Sequence, residues 1–127
     1  MPSTEPTALI IDDDPSHLKI YSWVVNRAGF QTATLLVRSS SFELPDFHDL
    51  AVVVMDYQYN SAITALQIFH AIRAKSPNLP IFLLSEYSDL PEELIKCATA
   101  FIKKSEPQTL VERLIELRET GKVESRF

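Results

Sequence analysis

Four short apolar runs punctuate the chain: Ala8-Leu9-Ile10-Ile11, Ala51-Val52-Val53-Val54-Met55, Ile81-Phe82-Leu83-Leu84 and Ala100-Phe101-Ile102. The first three are nearly continuous rather than alternating. A strand with that pattern is buried on both faces, as in a parallel sheet covered by helices. Thr32 to Val37 is a weaker fifth strand. Between the strands, apolar residues recur at helical spacing. Asp14 as N-cap and Pro15 at the first helical position open a helix carrying Leu18, Tyr21, Val25 and Ala28, and Gly29 stops it. Ala65 to Lys75 reads as a second helix, with Leu66, Phe69 and Ile72 on one side. Asp89-Leu90-Pro91-Glu92-Glu93 opens a shorter one, its carboxylates facing the positive end of the helix dipole. Ser105-Glu106-Pro107 opens the last, whose stripe is Leu110, Val111, Leu114 and Leu117. Pro45 leaves Ser39 to His48 ambiguous. A β-α unit repeated about five times predicts an α/β fold, a doubly wound five-stranded parallel sheet flanked by helices.

Composition narrows the function. The 127 residues suit one domain, 1–127, with frayed ends at 1–6 and 121–127. A formal charge of -5 argues against nucleic acid as a partner, because phosphate backbones select clustered Lys and Arg. Only Gly29 and Gly121 are present, which excludes a glycine-rich phosphate cradle. The single Cys97 excludes an internal disulfide and a thiolate zinc cluster. No apolar run reaches the ~20 residues of a membrane span, and no secretory signal is visible, so the expected location is cytoplasmic, with no membrane partner.

Ligands of open α/β sheets bind beyond the carboxyl ends of the strands. There the chain places Asp12, Asp13 and Asp14 after the first strand, Asp56 after the third, Ser85 after the fourth, and Lys103 and Lys104 after the fifth. Each alone is explained by ordinary roles: Asp14 as an N-cap, an Asp in a turn, a solvated Lys. Together, each just past an apolar strand, they imply a site. Crowded carboxylates repel and share a cation, for which magnesium is suited because it accepts a few carboxylates, waters and phosphate oxygens. Lysine neutralises an incoming phosphoryl group, Ser85 donates to one of its oxygens, and Asp56 is the candidate nucleophile.

In order and spacing these segments resemble a response-regulator receiver domain, the phosphoacceptor module of two-component signalling. The matching stretches are Leu9 to Pro15, Val54 to Asp56, Leu79 to Ser85 and Phe101 to Lys103. The resemblance implies a flavodoxin-like receiver fold. Asp56 accepts a phosphoryl group from a histidine kinase, a phosphotransfer protein or an acyl phosphate. Mg2+ is held by Asp12, Asp13, Asp56 and the backbone carbonyl of Gln58. Lys103 pairs with the phosphoryl group. Ser85 and Phe101 move together as the switch, and the modified chain binds a downstream protein. Such a chain is no enzyme beyond its own phosphorylation and dephosphorylation. Three departures stand out. Lys104 occupies the place of the family's cis proline, so a trans peptide and a shifted loop are expected. Glu86 follows the hydroxyl where the family is small, so it must point outward. The interval of 18 residues from Ser85 to Lys103 is about one helical turn short, predicting a short or distorted fourth helix, counting the ambiguous segment as the second.

Two other functions compete: a pseudo-receiver adaptor that is not phosphorylated, and a haloacid-dehalogenase-type hydrolase. The hydrolase needs a second Asp two residues past Asp56, where Gln58 stands. Tyr57, Tyr59 and Tyr87 crowd the site's loops, and Tyr87 is expected to shield the phosphoryl group from water. His17, His48 and His70 read as too scattered for a metal site. Trp23 reads as packing or partial exposure, Cys97 as a small buried hydrophobe, and the last helix leaves room for a homodimer.

Overall fold

The computed structural model describes residues 5–38, 44, 49–57, 64–86 and 92–120. Five strands, β1 (Thr7–Asp12), β2 (Gln31–Leu36), β3 (Leu50–Asp56), β4 (Ile81–Ser85) and β5 (Ala100–Lys103), form one sheet in the order β2-β1-β3-β4-β5. Every pairing is parallel. Helices α1 (Pro15–Arg27), α2 (Ala65–Lys75), α3 (Glu92–Cys97) and α4 (Pro107–Thr120) connect and flank it. This is the doubly wound order, with the strand-order reversal at β1 and β3. Most of the segment 39–48, and the ends 1–4 and 121–127, lie outside the described residues. Pro6, expected to fray, is held: its carbonyl accepts the Gln31 N–H at 2.8 Å.

The continuous apolar runs are explained by two cores. Successive strand residues point to opposite faces. Ala8, Ile10, Val52, Val54, Phe82, Leu84, Ala100 and Ile102 pack with Leu18, Val25, Leu110, Leu114 and Leu117 beneath α1 and α4. Their neighbours Leu9, Ile11, Val53, Met55, Ile81 and Leu83 pack with Ile68, Phe69, Ile72 and Leu94 beneath α2 and α3. The stripe of α4 is thus core, with Val111 partly buried beside it. Strand β2 is an edge and only half-buried, which is why its sequence carries polar Gln31, Thr32 and Thr34.

Helix ends follow their residues. Asp14 caps α1, its Oδ1 accepting the Ser16 N–H at 2.8 Å, with Pro15 in the first turn. Thr64 and Gln67 form a reciprocal box at the start of α2: Thr64 Oγ1 accepts the Gln67 N–H at 3.2 Å, and Gln67 Oε1 accepts the Thr64 N–H at 2.7 Å. α3 is six residues long, matching the short interval before β5.

Gly29, with φ +90, turns the chain after α1. A Cβ there would stand 2.4 Å from Arg118 Nη1. Gly29→Ala is expected to cost about 1–2 kcal/mol, mostly the left-handed backbone penalty, since the guanidinium can move aside. Urea unfolding checks this: adding Arg118→Ala should recover only the minor, steric part of the loss.

Candidate functional site

Period-two alternation carries three charged side chains to one place. Asp12 continues the face of Ala8 and Ile10, Asp56 that of Val52 and Val54, and Lys104 that of Ala100 and Ile102. All are at carboxyl ends of strands on the α1 side. Neighbouring strand ends are pinned by backbone bonds. The Asp12 carbonyl accepts the Val37 N–H at 2.9 Å, the Leu84 carbonyl accepts that of Tyr57 at 2.9 Å, and the Ser85 carbonyl accepts that of Lys104 at 3.1 Å.

Lys104 Nζ donates to Asp56 Oδ2 at 2.8 Å, and both side chains are largely shielded from water. This corrects the sequence expectation that Lys103 is the partner amine. Lys103 pairs with Ser85 in the sheet, falls on the opposite parity and is solvent-exposed. Strand parity in Ala100-Phe101-Ile102 was the signal that would have found Lys104. The residue following the amine is therefore Ser105, and the described residues contain no cis peptide. The interval from Ser85 to the lysine that meets Asp56 is one residue longer than the interval to Lys103.

Asp12 is fully buried, and its Oδ1 accepts the N–H groups of Asp13 at 2.8 Å and Asp14 at 3.1 Å. Burial, then the charge of Asp56, push its carboxyl up to about 6, while the Asp14 N–H and His17 oppose the rise. Burial alone would depress the Lys104 ammonium. Its hydrogen bond and charge contact with Asp56 outweigh that and hold it above the usual lysine range. Tyr21, on α1, is half-buried, and desolvation raises its phenol, with the Lys104 charge opposing the rise. One atom each of Asp12, Asp56 and His17 lies within 4.8 Å of the others. The three histidines, expected to be too scattered for a metal site, are not brought together among the described residues, but one helical turn past β1 returns the His17 ring to the strand end beside the two carboxylates. Asp13 is half-buried beside Asp12 but is not in this trio.

Ser85 is buried at the end of β4. Phe101 pairs with Leu83 and packs, half-buried, against the α2–α3 core. Glu86 is exposed, as its position required. Gln58, Tyr59, Tyr87 and His48 lie outside the described residues, as does the Cys97 side chain. His70 is exposed on α2. Trp23 is 62% exposed, with the Arg27 guanidinium 4.8 Å from its ring centroid.

Two buried carboxylates, one raised by burial and then by the charge of the other, stand together at the sheet edge in want of positive charge. Lys104 supplies one unit. Clustered oxygen donors of this kind fit a hard divalent cation, so the residues present suit magnesium.

Comparison with known proteins agrees with the geometry. A family model described as response regulator receiver domain matches residues 8–115. A response regulator receiver domain protein from Clostridium thermocellum superposes with TM-score 0.71 at 20% identity, over 90% of this chain and 97% of that one. A Francisella response regulator 1452 receiver domain gives 0.71 at 19%, over 93% and 100%. The Thermotoga maritima regulator DrrB gives 0.70 at 22%, over 94% of this chain and 55% of its own. No curated protein sequence matches. Among the described residues no helix is long and apolar enough to cross a membrane.

Proposed function

Because the chain belongs to the response regulator receiver domain family, a two-component signalling module, we propose that it is a phosphoacceptor switch with Asp56 as the acceptor. A carboxylate oxygen of Asp56 attacks phosphorus. The new O–P bond forms as the bond to a kinase histidine nitrogen, or to the oxygen of a small acyl phosphate, breaks, and the leaving group keeps the electron pair. The observation that carries this reading is the 2.8 Å contact of Lys104 with Asp56 at the end of the central strand. An amine already on the nucleophile's oxygen is placed to transfer its hydrogen bond to an incoming phosphoryl oxygen.

Asp12, Asp13, Asp56 and the Gln58 carbonyl would hold Mg2+. When bound, the ion supplies positive charge between the carboxylates and the transferred group. Ser85, buried at the adjacent strand end, donates to a phosphoryl oxygen. Phe101, two residues before Lys103 and only half-buried, is the side chain free to change rotamer with it. An acyl phosphate is a mixed anhydride, so the modified state is transient, and the chain catalyses only its own phosphorylation and dephosphorylation. Upstream is a histidine kinase or phosphotransfer protein, downstream a protein that reads the altered face, both in the cytoplasm.

The test is intact mass after incubation with magnesium and a small acyl phosphate. One added phosphoryl group, absent in Asp56→Asn, is the expected result. No adduct at any magnesium concentration would replace this reading with that of a protein-binding adaptor.

A further inference from the structure

The phosphoacceptor reading leaves His17 without a task, although its ring reaches the acidic pair. His17 Nδ1 has no exposure to solvent and no hydrogen-bond partner. It stands 3.4 Å from Asp12 Oδ2, close enough for an ion pair but not aligned as a hydrogen bond. Burying a nitrogen lone pair this way against a carboxylate oxygen is costly unless a proton or a metal ion comes between them. The other nitrogen, Nε2, faces Asp14 Oδ2 at 3.6 Å, while Asp14 Oδ1 is fixed by capping α1. Tyr21 packs edge-on against the ring, with centroids 6.2 Å apart. An imidazole with one nitrogen beside carboxylates and the other beside a second carboxylate is the arrangement of metal-binding histidines.

Resting on the reading that a divalent cation sits between Asp12 and Asp56, we propose that His17 Nδ1 is an additional ligand to that ion and makes the site select a nitrogen-accepting transition ion, such as zinc, over magnesium. Magnesium prefers oxygen and retains its waters, whereas imidazole suits the later first-row ions. Two ligands at 2.0–2.1 Å from one ion stand at most about 4.2 Å apart. Bringing the 4.8 Å trio onto one ion therefore takes a closure of at least about 0.6 Å, which a rotation of the half-exposed ring supplies.

Calorimetric titration with zinc and with magnesium tests this on the wild-type chain, His17→Gln and His70→Gln. The melting curves of the metal-free variants confirm that each folds. His17→Gln is expected to weaken zinc binding about tenfold or more, to leave magnesium binding within about twofold, and to remove the nitrogen modulation from the spin-echo spectrum of the copper(II)-loaded chain. His70→Gln should change neither affinity. An unchanged zinc-to-magnesium ratio in His17→Gln, a nitrogen signal that survives it, or an equal loss in His70→Gln overturns the proposal. Wild-type chain that takes a phosphoryl group from acyl phosphate in magnesium, yet binds zinc without His17, sinks this inference alone. Wild-type chain that takes none, yet binds zinc through His17, sinks the phosphoacceptor reading and keeps the ligand.

Discussion

Lys104→Ala is expected to slow phosphoryl uptake from a small acyl phosphate by about two orders of magnitude, whereas Lys103→Ala stays within about twofold. The difference follows from strand parity. Lys104 shares its face with Ile102 and reaches Asp56 at 2.8 Å, while Lys103 faces solvent. Removing one preorganised donor from a developing oxyanion typically costs about 10²–10³ in rate. The substitution also removes the cation from two buried carboxylates. In chelator at pH 7, Lys104→Ala should lose about 3 kcal/mol, the order expected when one partner of a buried pair is deleted. Stopped-flow phosphorylation and urea unfolding read the two effects. Equal losses of rate in the two lysine variants would contradict the assignment.

Asp12 gives the second large effect, through pH. Its carboxyl is raised from 3.8 to about 6 by burial and by Asp56. Well below pH 3.8, at about pH 2.5, folded and unfolded chains both hold the proton and the group costs nothing. As pH climbs toward 6, the unfolded chain loses its proton first, so stability falls. Above about 6 the full penalty is present, on the order of 2–3 kcal/mol for a shift of that size. Asp12→Asn keeps an oxygen for the N–H groups of Asp13 and Asp14 and lacks the charge. In chelator it should be more stable than the parent by about that amount at pH 7, and the gap should close as pH falls well below 3.8. A divalent cation at about 100 times its dissociation constant should return about 2.7 kcal/mol to the parent at pH 7. Parallel pH curves for parent and Asp12→Asn would contradict the account.

The doubly wound sheet was legible because doubly buried parallel strands cannot tolerate polar residues. Ala51 to Met55 and Ile81 to Leu84 could be little else. The edge strand β2 was faint for the opposite reason: one side of it meets water. Asp12, Asp56 and Ser85 were legible as the first polar residues after apolar runs. Between Lys103 and Lys104 the run alone did not decide, since both follow it. The choice is made by which face each residue inherits from Ile102, and counting faces rather than positions resolves it. His17 was illegible for a deeper reason. Its contact with Asp56 spans 39 residues of chain, and nothing in local periodicity encodes the angle at which α1 leaves β1. Asp14 hinted at it only in retrospect, as a cap whose second oxygen is left to face an imidazole.

The reciprocal pair of Thr64 and Gln67 gives α2 a start of its own making. The helix therefore does not depend on the stretch beside the acceptor aspartate for its first turn. Substitutions between residue 57 and Thr64 are therefore expected to leave the first turn of α2 intact, so that the sequence there can change without shifting the face that α2 lays on the sheet.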